Sequence, residues 1–232
     1  MKMHGFARTI KLAVVLAIAG IGLSGCFDLT QNVAIGRDGS GHYQVSLSAQ
    51  GIVGEGLRNA VIVDTTRNRA DLATDVVNGK VTRTAFVAFK SLSDLALPDQ
   101  VMSLTVTGHD FFGLGPAHVM FRSIFHVDQA KKTQPAPIGG SALGRQIAQS
   151  IVGDHYYTFS VTVPGSIEHI APVAVGPDII QPTVTGDFYH GHTVIWRLPL
   201  YALVLARTLS FEVDFTAYGL FSDAKTQMIA SE

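Results

Sequence analysis

The chain has very little cysteine, one residue in 232, and little charge, with 15% of residues charged. A single Cys excludes an internal disulfide framework and any multi-cysteine metal site. The formal charge is -1, from 17 basic and 18 acidic side chains. Without a basic excess, binding to nucleic acid has no counterion release to drive it. Low charge with 47% hydrophobic residues also excludes a disordered polyelectrolyte, which needs the opposite balance. None of the four Asn residues lies in an N-x-[ST] sequon. A hydrophobic run of spanning length is missing after the N-terminus. Leu198 to Ala206 is the most apolar late stretch, but it holds Pro199 and is bounded by Arg197 and Arg207. It is less than half the roughly 20 residues a spanning helix needs.

What is present begins at the N-terminus. Lys2, Arg8 and Lys11 precede the uncharged apolar run Leu12 to Gly22, and no acid interrupts them. That is the layout of a secretory signal. Leu23-Ser24-Gly25-Cys26 follows and resembles a bacterial lipobox, in which the Cys thiol takes diacylglycerol before cleavage. A retained anchor with a chance Cys is the competing reading. It is weakened because the chain's only Cys stands where the motif requires one. Cys26 is therefore the candidate lipidation site, and residues 1–25 the signal peptide. Loss of the three signal cations leaves 14 basic against 18 acidic groups, a net charge of -4. Such a body has no electrostatic attraction to anionic headgroups, so the acyl chains must hold it. Phe27, not Asp, follows Cys26, which in a Gram-negative host favours the outer membrane.

Beyond Cys26 the dominant signal is period-two alternation. Tyr43 to Ala49, Met102 to Val106, Tyr157 to Val163 and Leu209 to Ala217 each alternate apolar with polar residues. This pattern makes antiparallel strands with one face on a core. Val119 to Val127 and Thr193 to Leu198 are more often apolar on both faces and read as interior strands, or as strands covered by a helix. Arg37-Asp38-Gly39-Ser40-Gly41 predicts a hairpin between strands at Asn32 to Ile35 and Tyr43 to Ala49. Pro164-Gly165, Gly176-Pro177 and Gly186-Asp187 mark further turns. Eight or nine strands result. Helices are predicted at Ser141 to Ile151, twice within Gln50 to Val77 (near Glu55 to Ala60 and Arg69 to Val77), and as one turn in Ser91 to Leu97. The fold class is α+β: a mainly antiparallel curved sheet or partly open barrel with a few short helices, preceded by a signal-peptide helix. Residues 26–220 form one domain and 221–232 a flexible tail.

Catalytic chemistry has no motif to stand on. There is no G-x-S-x-G elbow; Gly139-Gly140-Ser141-Ala142-Leu143 lacks the last Gly. There is no H-E-x-x-H and no phosphate-binding loop. Nine His residues invite a metal, and His190-Gly191-His192 is the closest pair. Two ligands fall short of the three or four that zinc takes. His109, His118, His126, His155 and His169 are scattered at strand ends. Glu212 and Asp214 share a strand face, as a glycosidase pair would, but alternation places that face in solvent. Trp196, the only Trp, reads as a core anchor. No catalytic, cofactor-binding or metal-ligating residue is assigned.

One set of residues carries a family resemblance. After Cys26 and the Asp38-Gly39-Ser40-Gly41 hairpin comes Phe159 to Gly165, with its Pro-Gly after a strand. Then a short turn at Gly186 to His192 leads into Thr193-Val194-Ile195-Trp196. This resembles the LppM-domain lipoproteins over about residues 26–218. The resemblance implies a compact envelope domain tethered by lipid and associated with lipid binding, with no reaction attached. The family's C-terminal hydrophobic segment is not found here, so the acyl group is expected to be the sole anchor. The reading that follows is a non-enzymatic, lipid-anchored cell-envelope protein facing the periplasm or exterior, holding a lipid or other apolar ligand. The alternative is a structural or assembly lipoprotein that binds envelope proteins. A metal-assisted hydrolase using His190 and His192 is the third.

Overall fold

The computed structural model describes residues 27–97, 99–109, 115–126, 155–187, 191–201, 203, 206, 208–218 and 227–228. Cys26, His190, the expected signal-peptide helix within 1–25 and the expected helix at 141–151 lie outside these residues. Among the described residues there are fourteen strands, more than the eight or nine expected. They are β1 (Phe27–Ile35), β2 (Gly41–Gln50), β3 (Ala70–Val77), β4 (Lys80–Phe89), β5 (Gln100–His109), β6 (Ala117–His126) and β7 (Tyr156–Val163). The rest are β8 (Ser166–Ile170), β9 (Val173–Val175), β10 (Asp178–Ile180), β11 (Thr183–Asp187), β12 (Gly191–Pro199), β13 (Thr208–Ala217) and β14 (Gln227–Met228). The surplus is β3 and β4, which the sequence reading did not assign as strands, and short strands too brief to show an alternation.

Two main sheets face each other. The seven-stranded one runs β11-β12-β7-β1-β2-β4-β3 and the five-stranded one β14-β5-β6-β13-β8, with β9 and β10 as a separate hairpin. Each main sheet has two ends, so neither closes into a barrel as the sequence reading allowed. Every pairing is antiparallel except β1 with β7, which run parallel with Leu29 opposite Tyr157. The interior strands expected at 119–127 and 193–198 are β6 and β12, each flanked on both sides.

The alternation is realised as two kinds of face. Inward, Tyr157, Phe159 and Trp196 of the larger sheet meet Phe121, Phe211 and Phe215 of the smaller, all fully buried. Phe211 stacks on Phe159 at 4.3 Å and meets Trp196 edge-on at 5.4 Å. Burial of each such ring contributes about 1.5–3 kcal/mol. The Trp196 indole N–H donates to the Ala171 carbonyl at 3.1 Å, which removes the cost of burying it. Outward, the larger sheet carries hydroxyl pairs across its strands: Ser46 with Thr84 at 3.0 Å, Ser48 with Thr82 at 2.9 Å, and Thr162 with Thr193 at 2.8 Å.

Helix is scarcer than expected. The described residues hold one α-helix, α1 (Gly51–Leu57), and a 3-10 turn at Leu92–Asp94. α1 agrees in part with the first helix expected after Gln50. Of its three glycines Gly54 serves packing: a Cβ there would sit 2.7 Å from the Ala49 carbonyl oxygen. The 3-10 turn fulfils the expectation at Ser91 to Leu97 and is closed by a capping box between Ser91 and Asp94. The second helix, Arg69 to Val77, is corrected: that stretch is strand β3, paired along its length with β4. The turn between them decides it. Asn78 and Gly79 have φ of 50° and 75°, the left-handed pair of a two-residue hairpin. No described helix is long and apolar enough to cross a membrane.

Candidate functional site

The chain enters the described fold at Phe27, and it enters already locked. Phe27 is buried and pairs with Ala49, which pairs with Val81, which pairs with Val76. Gln50, Lys80 and Val77 form the next row outward. The Phe27 backbone N–H donates to Nδ1 of His155 at 3.3 Å, across 128 residues. An acceptor Nδ1 puts the imidazole proton on Nε2. The His155 carbonyl in turn accepts the Leu200 N–H at 2.7 Å. Asp28 accepts from Lys80 at 3.0 Å and from the Tyr156 N–H at 3.4 Å. One strand end is thus tied to β4, β7 and the end of β12. α1 lies against the β2 and β4 ends of the same edge, with Gly54 and Leu57 buried.

Polar groups inside the sandwich are few and satisfied. The Tyr157 hydroxyl donates to Oε1 of Gln31 at 2.7 Å, and the same amide hydrogen-bonds the Tyr43 hydroxyl. Burial pushes both phenols well above their ordinary value of 10.0, so both stay neutral. Gln100 donates to Ser123 at 2.9 Å. Asn68 clamps two loops together, donating to the carbonyls of Asp64 and Ala96 and accepting from the Ala96 N–H. Sequence reasoning singled out none of these. A polar residue at an inward strand position, as Gln31 is between Leu29 and Val33, was the signal available.

The outer face of the smaller sheet gathers the titratable residues considered above. Glu212 and Asp214 do share the solvent side, and each faces a basic residue on a neighbouring strand. Glu212 meets Arg122 at 3.4 Å and Asp214 meets His169 at 3.5 Å. His118 pairs with Glu168 at 2.9 Å. His192 is half-buried, its Nδ1 2.9 Å from the Gly165 carbonyl oxygen. His109 and His126 end β5 and β6, and His155 is held as described. Among the described residues no three His, Asp, Glu or Cys side chains come together as metal ligands do. Trp196 is the core anchor expected of it.

Known proteins were compared with this chain in three ways. No family model matches, and no curated protein matches. Solved folds do resemble it. The folded domain of LppM from Mycobacterium tuberculosis, determined by NMR, is 14% identical and aligns with 85% of this chain and 95% of that one, at a TM-score of 0.41. A crystal structure of a candidate protease from Parabacteroides distasonis is 7% identical and aligns with 82% of this chain, which spans 40% of that one, at a TM-score of 0.36. At these identities and scores neither assigns an activity or a ligand.

Proposed function

We propose that the protein is a non-enzymatic, lipid-anchored component of a bacterial cell envelope, moored through diacylglycerol on Cys26. One observation carries the reading: Leu23-Ser24-Gly25-Cys26 ends directly against a residue that is buried in the fold. Cleavage before Cys26 therefore removes the signal without removing any part of β1. The two carboxylates that could have formed an acid–base pair each face a side chain of a neighbouring strand, Arg122 and His169, which favours a binding or structural role over hydrolysis. Phe159, Trp196 and Phe211 are in ring contact between the sheets, which supports lipid being met at the surface of the domain and not between those rings. The test is radiolabelled palmitate fed to a lipoprotein-processing host. Label on the wild-type chain in the membrane fraction, lost in Cys26→Ser together with cleavage, supports the reading. An unlabelled, uncut wild-type chain overturns it.

A second reading, an assembly lipoprotein that binds envelope proteins, is favoured by β3. This strand ends the larger sheet and is exposed nearly throughout, with Leu72 on it open to solvent. An open edge is where another chain adds a strand. Cross-linking from β3 to a discrete envelope protein supports it, and an unpartnered β3 in intact envelopes removes it.

A further inference from the structure

Among the described residues several large apolar side chains lie in solvent, Ile179 at 64%, Val184 at 48% and Tyr218 at 72% among them, and three others gather in one place. Ile52 is 85% exposed, Val77 65% and Val76 46%. Val76 and Val77 end β3, and Ile52 opens α1 one residue after Gly51. The register puts all of them at one end of the larger sheet. Val76 shares a row with Phe27, Val77 shares the next row with Gln50 and Lys80, and α1 follows Gln50 directly. Strands lie about 4.8 Å apart, so Val77 stands roughly 14 Å from the strand of Phe27. No residue separates Phe27 from Cys26, and consecutive Cα atoms are about 3.8 Å apart. A tether of that length gives the domain no room to stand off.

We infer that the sheet end bearing Ile52, Val76 and Val77 is a docking surface for the bilayer that holds the anchor. This rests on acylation of Cys26 as proposed above. Acyl chains entering the membrane beside Phe27 bring that end into the headgroup layer. There the three side chains leave water for the apolar boundary, as the apolar face of an interfacial element does. Asp75, exposed beside Val76, has to stay on the water side of the contact. Lys80 is paired with Asp28 at 3.0 Å and Arg58 with Glu55 at 2.7 Å. With these two basic groups paired, contact with the bilayer is apolar and insensitive to salt.

The opposite end supplies the control. β7 runs parallel to β1 and ends at Val163, past the pairing of Ala34 with Thr162. Gly165 backs onto the Thr216 carbonyl, so Tyr218, 72% exposed, lies at that far end. Full-length chains carrying Ile52→Cys, Val77→Cys or Tyr218→Cys are processed in a lipoprotein-competent host, labelled with an NBD thiol reagent and reconstituted in phosphatidylcholine vesicles. Acylation blocks the Cys26 thiol, so each chain carries one label, and palmitate is assayed in the same samples. Nitroxide-labelled phosphatidylcholine should quench the probes at 52 and 77, and aqueous iodide should reach only 218, unchanged by added salt. Equal iodide access at all three sites in palmitoylated, vesicle-bound protein overturns the docking surface and leaves the anchor standing. Absence of palmitate overturns both. Shielding at 52 and 77 without lipid quenching, lost when protein is diluted in the vesicles, assigns the patch to a second copy and overturns the inference.

Discussion

Gln31 shows how one polar residue can organise an apolar layer. It is placed inward by the parity of β1, where Val33 and Ile35 are also buried, and its amide serves two tyrosines from the strands on either side. Tyr157→Phe keeps the ring contacts but leaves Oε1 of Gln31 without its donor. A buried acceptor left unmade costs about 1–3 kcal/mol, read as a lower urea midpoint with an unchanged slope. The same pair sets an alkaline limit. Both phenols are raised in the fold above 10.0, where they ionise in the unfolded chain. Below that value both states keep their protons and the pair adds no pH dependence. Above it the unfolded chain releases protons first, so stability falls as pH climbs toward the folded values, by about 1.4 kcal/mol per pH unit for each tyrosine. Tyr43→Phe removes one such group, so the gap between variant and wild-type midpoints should change in the variant's favour above pH 10. A gap that stays constant across that range refutes neutral burial of Tyr43.

At the scale of elements, the β3–β4 hairpin turns on two residues. Gly79 has a φ of 75° and open space where a Cβ would be, so Gly79→Ala meets backbone strain and no clash. The expected loss is about 1–2 kcal/mol by denaturant unfolding, while Asn78→Gly, which relieves the other left-handed position, should cost little. That turn also explains what was and was not legible. The long alternating strands declare themselves, and β2, β5, β7 and β13 lie where the apolar–polar pattern places them. The β1–β2 hairpin follows from its Asp38-Gly39 turn, where Asp38 accepts from the Ser40 N–H and hydroxyl. Arg69 to Val77 was misread because Ala70, Leu72 and Ala73 favour helix locally, and the Asn78-Gly79 signal beside them carries more weight. Propensity is a weak prior that sheet pairing overrides. The parallel join of β1 to β7 could not be read at all, since nothing local encodes a partner 128 residues away. The resemblance of Leu23-Ser24-Gly25-Cys26 to a lipobox rests on the sequence alone. The lock of Phe27 onto His155 could not be read either, for the same reason.

On the scale of the whole molecule, the question is whether two sheets make one cooperative body. Phe211 belongs to β13 of the smaller sheet, yet its ring contacts Tyr157, Phe159 and Trp196 of the larger. Its removal therefore weakens the joint between layers and leaves every hydrogen-bonded ladder intact. Phe211→Ala should cost about 3–5 kcal/mol, the transfer of a buried ring plus the cavity it leaves. Nature has provided a clean reporter, because Trp196 is the only Trp and sits in that joint. Its emission follows separation of the layers, while far-UV circular dichroism follows the strands. If the sandwich unfolds as a unit, both signals move together in wild type and both midpoints fall by the same amount in Phe211→Ala. The central position of β1 argues for that outcome. It links the β2-β4-β3 half of the larger sheet to the β7-β12-β11 half, so neither half keeps its full pairing once the strand leaves. Should Trp196 emission change at lower denaturant than the dichroism, the layers part first, and the rings would be a contact between two stable sheets and not the condition for both.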